Sequence, residues 1–306
     1  MTPRRRIVPV FVPHLGCTHQ CVFCDQRTIS GRPEPAGPET VREVLRSAQA
    51  VTACAELAFY GGSFTAIPWP EQRALLEAAA PFRETGFLTS IRLSTRPDCI
   101  RAEELDRLRE YGVETVELGA QSMDDRVLLR SGRGHGAEDT VCAARLLRGR
   151  SFRVVLQMMT GLPGSDPETD LRTAQRLAEL HPQGVRIYPT LVLRDTPLAA
   201  LWSSGVYKAR SVEEAVETCA PILTLFRDAG IPVLRLGCIP PGSWRPGFWP
   251  DLIIPRWESW SMGGCTGTRR KSCWLRRRPC RDRSCCRSIP AACPSSPGRA
   301  GRICFG

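Results

Sequence analysis

The residues of this 306-residue chain best suited to chemistry lie near its start. Gly16-Cys17-Thr18-His19-Gln20-Cys21-Val22-Phe23-Cys24 places three thiols on one short loop at a C-x3-C-x2-C spacing. Three thiolates can hold three corners of a [4Fe–4S] cube and leave the fourth iron open to an outside ligand. A structural zinc site wants four protein ligands in a closed tetrahedron, and His14 or His19 could supply the fourth. The loop by itself therefore leaves zinc open. A cysteine triple directly after an apolar run is much rarer than a lone C-x-x-C pair, so the cluster is the expected occupant of Cys17, Cys21 and Cys24.

Further polar and glycine groups sit where apolar runs end. They are Tyr60-Gly61-Gly62-Ser63-Phe64-Thr65, Ser94-Thr95-Arg96-Pro97-Asp98, Glu117-Leu118-Gly119-Ala120-Gln121-Ser122, Gly132-Arg133-Gly134-His135 and Gly161-Leu162-Pro163-Gly164. Glycine fits where a ligand must approach the main chain closely, although a plain turn explains a lone Gly-Gly as well. His135 reads equally as a helix-start residue.

The elements that must position these groups alternate. Strands are expected at Ile7–Val12, Glu56–Tyr60, Phe87–Ser94, Thr115–Leu118, Arg153–Met158, Val185–Tyr188 and Pro232–Leu236. Their Val, Ile and Leu content, without polar alternation, suits a parallel sheet covered on both faces. Between them, Val41, Val44, Leu45 and Ala48 repeat at helical spacing, as do Val212, Ala215, Val216, Cys219, Leu223 and Phe226 before Gly230 and Pro232. Strands alternating with helices make right-handed βαβ units. Six or seven units are too few for a closed eight-fold barrel. The expected fold is an α/β incomplete (β/α)6-type TIM barrel, with its functional rim at the C-terminal ends of the strands.

Composition divides the chain. Residues 238–306 hold thirteen Lys and Arg against three Asp and Glu, eight of the fifteen Cys and five of the seven Trp. Residues 1–237 hold 29 basic and 28 acidic residues and are nearly neutral. The expected domains are a core over 1–237 and a Cys/Arg/Trp-rich tail over 238–306 that is non-native and disordered. No run approaches the roughly 18 apolar residues of a membrane span, and Pro9, Pro13 and His14 break the N-terminal apolar stretch. No membrane association and a cytoplasmic location are expected, where fifteen cysteines point to metal or redox use before disulfides.

The cysteine loop after the first strand resembles the signature of the radical S-adenosylmethionine (SAM) superfamily. The phrases Phe11-Val12-Pro13-His14-Leu15-Gly16-Cys17, Tyr60-Gly61-Gly62-Ser63-Phe64-Thr65 and Leu118-Gly119-Ala120-Gln121-Ser122 are most similar to bacterial members related to Elp3, the catalytic subunit of Elongator. The likeness covers roughly residues 5–237. It implies a [4Fe–4S] cluster on the three cysteines and S-adenosyl-L-methionine on the open iron, cleaved reductively to a 5′-deoxyadenosyl radical. It further implies that Gly61 and Gly62 meet the methionine amino group of SAM, and that Ser94, Gln121 and Arg133 contact its ribose and carboxylate. Gly62→Val is then expected to weaken SAM binding and leave the cluster in place. A one-electron donor such as a flavodoxin or ferredoxin is implied, and the substrate is a tRNA base or a small metabolite. No catalytic side chain is assigned. Elp3 itself has a longer cysteine spacing and an acetyltransferase domain for which this chain has no room.

Read from each codon's third base, residues 238–258 can spell a phrase resembling the C-terminal extension of the bacterial relatives. One base lost near codon 238 would account for the tail as an out-of-frame product. Two other functions remain open. One is a coproporphyrinogen-oxidase-like oxidoreductase of the same superfamily, suggested by Gly161-Leu162-Pro163-Gly164. The other is a zinc- or nucleic-acid-binding module whose basic tail grips phosphates.

Several residues carry no assignment. Cys54, Cys99, Cys142 and Cys219 read as buried apolar cysteines, and Asp166, Glu168 and Asp170 as first-turn acids favoured by a helix dipole. Trp202, Tyr188 and Tyr207 could line a substrate opening but read first as packing residues, and Arg186 and Arg194 fit either an anionic substrate or solvated salt bridges.

Overall fold

The computed structural model describes residues 6–31 and 33–237, and the expectations for the tail lie outside them. Each expected strand is present: β1 (Arg6–Phe11), β2 (Ala55–Tyr60), β3 (Leu88–Thr95), β4 (Val113–Gln121), β5 (Arg153–Thr160), β6 (Gly184–Pro189) and β7 (Val233–Leu236). All neighbouring pairs are parallel, and the spatial order follows the chain order from β1 to β7. Every crossover carries helix. These are α1 (Gln26–Ser30) and α2 (Pro38–Gln49), α3 (Trp69–Glu84), α4 (Ala102–Glu110), α5 (Asp125–Arg130) and α6 (Ala137–Gly149), α7 (Pro167–Ala178), and α8 (Pro197–Ser203) with α9 (Val212–Asp228). Successive right-handed crossovers curl such a sheet toward a barrel. Among the described residues β1 and β7 pair on one side only, so the barrel stays open. Six βα units and a seventh strand form the expected incomplete barrel.

Local sequence explains the helix ends. The Ser211 hydroxyl accepts from the Glu214 N–H at 3.2 Å, and the Glu214 carboxylate accepts from the Ser211 N–H at 2.7 Å, a capping box at the start of α9. Beyond α9, Gly230 takes a left-handed φ of 69° and Pro232 prevents continuation. Buried Val41, Leu45 and Ala48 form the inward stripe of α2.

Side chains alternate across each strand. Val8, Val10, Leu57, Phe59, Ile91, Leu93, Val116, Leu118, Leu156 and Ile187 join helical Leu45, Leu76, Leu105, Leu147, Leu177 and Phe226 in one apolar core. The opposite, concave face departs from the sequence expectation, because it is buried yet charged. Arg92 of β3 donates to Glu56 of β2 at 2.7 Å and to Glu117 of β4 at 2.9 Å. Arg186 of β6 donates through Nη2 to Glu117 at 3.0 Å and sets its Nε 2.8 Å from the other Glu117 oxygen, and the Tyr60 hydroxyl donates to Glu117 at 3.0 Å. Arg186 is therefore a buried member of a lattice spanning β2 to β6, and not half of a solvated salt bridge. Burial, with Glu117 alongside, pushes the Tyr60 phenol well above its ordinary range.

β4 runs three residues beyond its expected end. Gly119-Ala120-Gln121 reads as a strand stop, but β5 holds it in register up to Gln121↔Met158, with a bulge between Gly119 and Gln121.

Three of the four unassigned cysteines also depart from expectation. Cys142 is exposed, Cys54 and Cys99 are half-buried, and only Cys219 of the four is buried; all seven described cysteines are free thiols. Asp166 caps α7 through the Thr169 N–H at 2.7 Å, and Glu168 pairs on the surface with Arg172. Asp170 is buried and accepts from the Gly161 N–H at 3.0 Å and from Arg210 at 2.9 Å. With the Tyr207 hydroxyl donating to the Gly161 carbonyl at 2.7 Å, it clamps the Gly161–Gly164 turn, so those glycines serve the turn itself.

Candidate functional site

The cysteine loop leaves β1 and is laced to the end of β2. The Val12 N–H donates to the Tyr60 carbonyl at 2.8 Å, His14 to Gly61 at 2.9 Å, and Ser63 back to Leu15 at 2.9 Å. This lacing needs two glycines. A Cβ on Gly62 would overlap the carbonyl oxygens of Leu15 and Val12, and one on Gly16 would overlap the Ser63 carbonyl. Gly61 takes a left-handed φ of 93°, and a Cβ there would meet Gln26 and Pro13 only at ordinary contact distance. The glycine turn is fixed in turn to the end of β3. Ser63 Oγ lies 3.0 Å from Thr95 Oγ1 and accepts from the Arg96 N–H, while Thr65 Oγ1 donates to the Cys99 carbonyl at 2.6 Å.

The expectation for Gly62→Val is thereby corrected. A side chain at Gly62 drives into the backbone that carries the cysteines, so the variant is expected to lose most of its iron together with SAM binding. Iron content after reconstitution checks this, and full iron with weakened SAM binding would restore the original expectation.

Around the loop lies a cavity of about 450 Å³ lined by His14, Cys17, His19, Cys24, Asp25 and Asp195, among others. Burial, then Cys21, raise the Cys17 thiol, and the same two causes push Cys24 up to about 12. Cys17 and Cys24, crowded against Cys21, resist ionising without a cationic group to bind, as a metal cluster provides. Two of the sulfurs also have a side-chain donor: Arg133 reaches Cys21 at 3.1 Å, and the Gln26 amide reaches Cys24 at 3.4 Å. The donor set fits a [4Fe–4S] cluster, whose three ligands bind three different irons.

A mononuclear zinc site fits less well. His14 Nε2 already accepts from the Gln26 N–H at 2.9 Å, and the His19 ring lies over Gly134. Among the described residues no three or more His, Cys, Asp or Glu are arranged to hold a single ion.

The expected SAM residues fall into two places. Gln121 and Arg133 meet over Gly119, where a Cβ would lie 3.0 Å from Gln121 Nε2 and 3.4 Å from Arg133 Nη2. Gln121 is buried at a left-handed φ of 64°, and its Oε1 has no partner. A strained backbone with an unsatisfied buried acceptor fits a ligand-holding position. Ser94 instead shares the Arg92 side of β3, in register with Glu117, and is half-buried beside the charged lattice.

Sequence reasoning missed Arg96. It is 4% exposed, and its Nε and Nη2 grip Asp98 at 2.9 and 2.8 Å, while Nη1 is buried without a partner. Its charge acts on both Cys17 and Cys21. The only sequence signal was its place in Ser94-Thr95-Arg96-Pro97-Asp98, directly after a strand.

An open parallel barrel with a three-cysteine loop at the C-terminal end of its first strand defines a cluster-binding α/β enzyme. The Radical SAM superfamily model matches residues 11–177, and the Radical_SAM C-terminal domain model matches residues 182–263. The chain belongs to the radical SAM superfamily, whose cofactors are a [4Fe–4S] cluster and SAM. It is 37% identical over 147 residues to the tRNA uridine(34) acetyltransferase of Methanocaldococcus jannaschii, covering 46% of this chain and 27% of that protein. It is 30% identical over 239 residues to the enzyme of that name from Dehalococcoides mccartyi, covering 65% of this chain and 52% of the relative. The chain thus spans about a quarter to a half of these relatives. Among solved structures, the archaeal Methanocaldococcus infernus Elp3 with an N-terminal deletion superposes with a TM-score of 0.60 at 25% identity, over 76% of this chain and 55% of that one. Coproporphyrinogen III oxidase from Escherichia coli shares the fold, with a TM-score of 0.55 at 18% identity over 74% of this chain and 54% of that one. Among the described residues no helix is long and apolar enough to cross a membrane.

Proposed function

We propose that this enzyme holds a [4Fe–4S] cluster on Cys17, Cys21 and Cys24, cleaves SAM reductively and uses the radical to modify a tRNA base, in the manner of its Elp3-like relatives. The observation that carries the reading is the cysteine loop itself, locked to the Gly61-Gly62 turn and supplied with N–H donors at Cys21 and Cys24. When bound, the cluster supplies the electron that breaks the S–C5′ bond of SAM.

The chain's own residues orient and shield. The free Nη1 of Arg96 is a buried cationic donor suited to the carboxylate of SAM, with Asp98 fixing the other edge of its guanidinium. The unpartnered Oε1 of Gln121 suits a hydroxyl donor such as the ribose. The Glu56–Arg92–Glu117–Arg186 lattice gives the concave face a rigid polar floor beneath that rim. A one-electron donor such as a flavodoxin or ferredoxin reduces the cluster in this reading.

The similarity to tRNA uridine(34) acetyltransferases supports tRNA over a small metabolite. Reconstituted anaerobically, the full chain is expected to bind about four irons with sulfide and to release 5′-deoxyadenosine on reduction with SAM. Bulk tRNA is expected to speed that release. Iron without sulfide overturns the cluster, and release indifferent to tRNA but stimulated by a metabolite extract overturns the substrate.

A further inference from the structure

The Arg133 guanidinium is tied on three sides. Nε donates to His135 Nε2 at 3.2 Å, Nη2 donates to the Gly119 carbonyl at 2.5 Å, and Nη1 donates to Cys21 Sγ at 3.1 Å. His135 Nδ1 lies 3.1 Å from the Gly136 carbonyl, which can only accept, so Nδ1 carries the proton and Nε2 is the acceptor for Arg133. Burial first, and the Arg133 charge second, hold the His135 pKa down to about 4 and keep the imidazole neutral. A planar fork anchored in this way must give up a bond to swing toward an outside anion. Arg133 is also itself buried, at 6% exposure. The Cys24 sulfur receives a neutral donor, the Gln26 amide at 3.4 Å. Cys21 alone has a hydrogen bond from a charged group.

We infer that Arg133 tunes the cluster: its fixed charge and N–H···S bond to Cys21 favour the reduced, more negative cluster and raise its reduction potential, with His135 as the residue that positions it. The inference deepens the proposed function and rests on it, since it needs a cluster on Cys21. Net charge and hydrogen bonds to the sulfurs are main determinants of such potentials. A cation already in place beside the group that gains the electron acts in a low-dielectric setting without having to reorganise.

The test is an EPR-monitored potential titration of the reconstituted full chain without SAM, alongside SAM binding by equilibrium dialysis. Arg133→Met is expected to make reduction at least tenfold less favourable, a fall of about 59 mV for a one-electron couple. Arg133→Gln, which keeps a donor but not the charge, should fall by less, His135→Phe by less still, and Gln26→Leu least. Should the Met variant take up no iron, the Gln and His135→Phe variants decide by the same reading. Unchanged potentials in the loaded variants, with or without weaker SAM binding, overturn the inference. A wild type that takes up no four-iron cluster is recognised from its iron content before any titration, and it overturns the proposed function and this inference with it.

Discussion

Cys17→Ala, Cys21→Ala and Cys24→Ala are each expected to lose the cluster and all release of 5′-deoxyadenosine. Three thiolates on one loop leave no spare ligand, and neither loop histidine offers a replacement: Nε2 of His14 is engaged by Gln26, and His19 packs over Gly134. The loss should exceed the roughly 10–100-fold that removal of an outer-shell partner costs a metal site. Cys142→Ala and Cys54→Ala are the controls, since these thiols are exposed or half-buried and play no part in the loop. They should keep wild-type iron, sulfide and absorbance near 400 nm. Wild-type iron in any of the three loop variants would sink the ligand assignment.

Glu117→Ala should destabilise the barrel by about 3–5 kcal/mol, the usual cost of removing one partner from a buried ion pair. Glu117 is 2% exposed and accepts from Arg92, from Arg186 through Nη2, and from the Tyr60 hydroxyl. Its removal leaves Arg186 buried without a carboxylate, whereas Arg92 keeps Glu56. Glu117→Gln retains an acceptor and should cost less, about 1–3 kcal/mol. Against a total stability of about 5–15 kcal/mol, the alanine variant stands near unfolding. The exposed Arg73–Glu77 pair at 2.7 Å sets the contrast, and Glu77→Ala should cost about 0.5 kcal/mol or less. Urea midpoints at unchanged slope measure all three. A Glu117→Ala shift no larger than that of Glu77→Ala would show that the lattice adds nothing to stability.

Local chemistry made much of the protein legible from its residues alone. Seven apolar runs separated by helical repeats specify seven strands, because a chain buried by crossover helices must be apolar where it enters the sheet. Three cysteines on one loop and glycines directly after β2 mark the centre, because cluster ligands and tight turns come from neighbours in sequence. What Gly62, Arg133, Arg96 and Arg186 do was decided only in three dimensions. Gly62 faces the main chain of the cysteine loop, Arg133 meets Cys21 across 112 residues, and Arg186 meets Tyr60 across 126. Such pairs come together through strand register and the curl of the barrel, which no local pattern encodes. A charge read alone on one strand looks solvated; curling β2 to β6 around a common interior removes the water and leaves the neighbouring charges as its only partners.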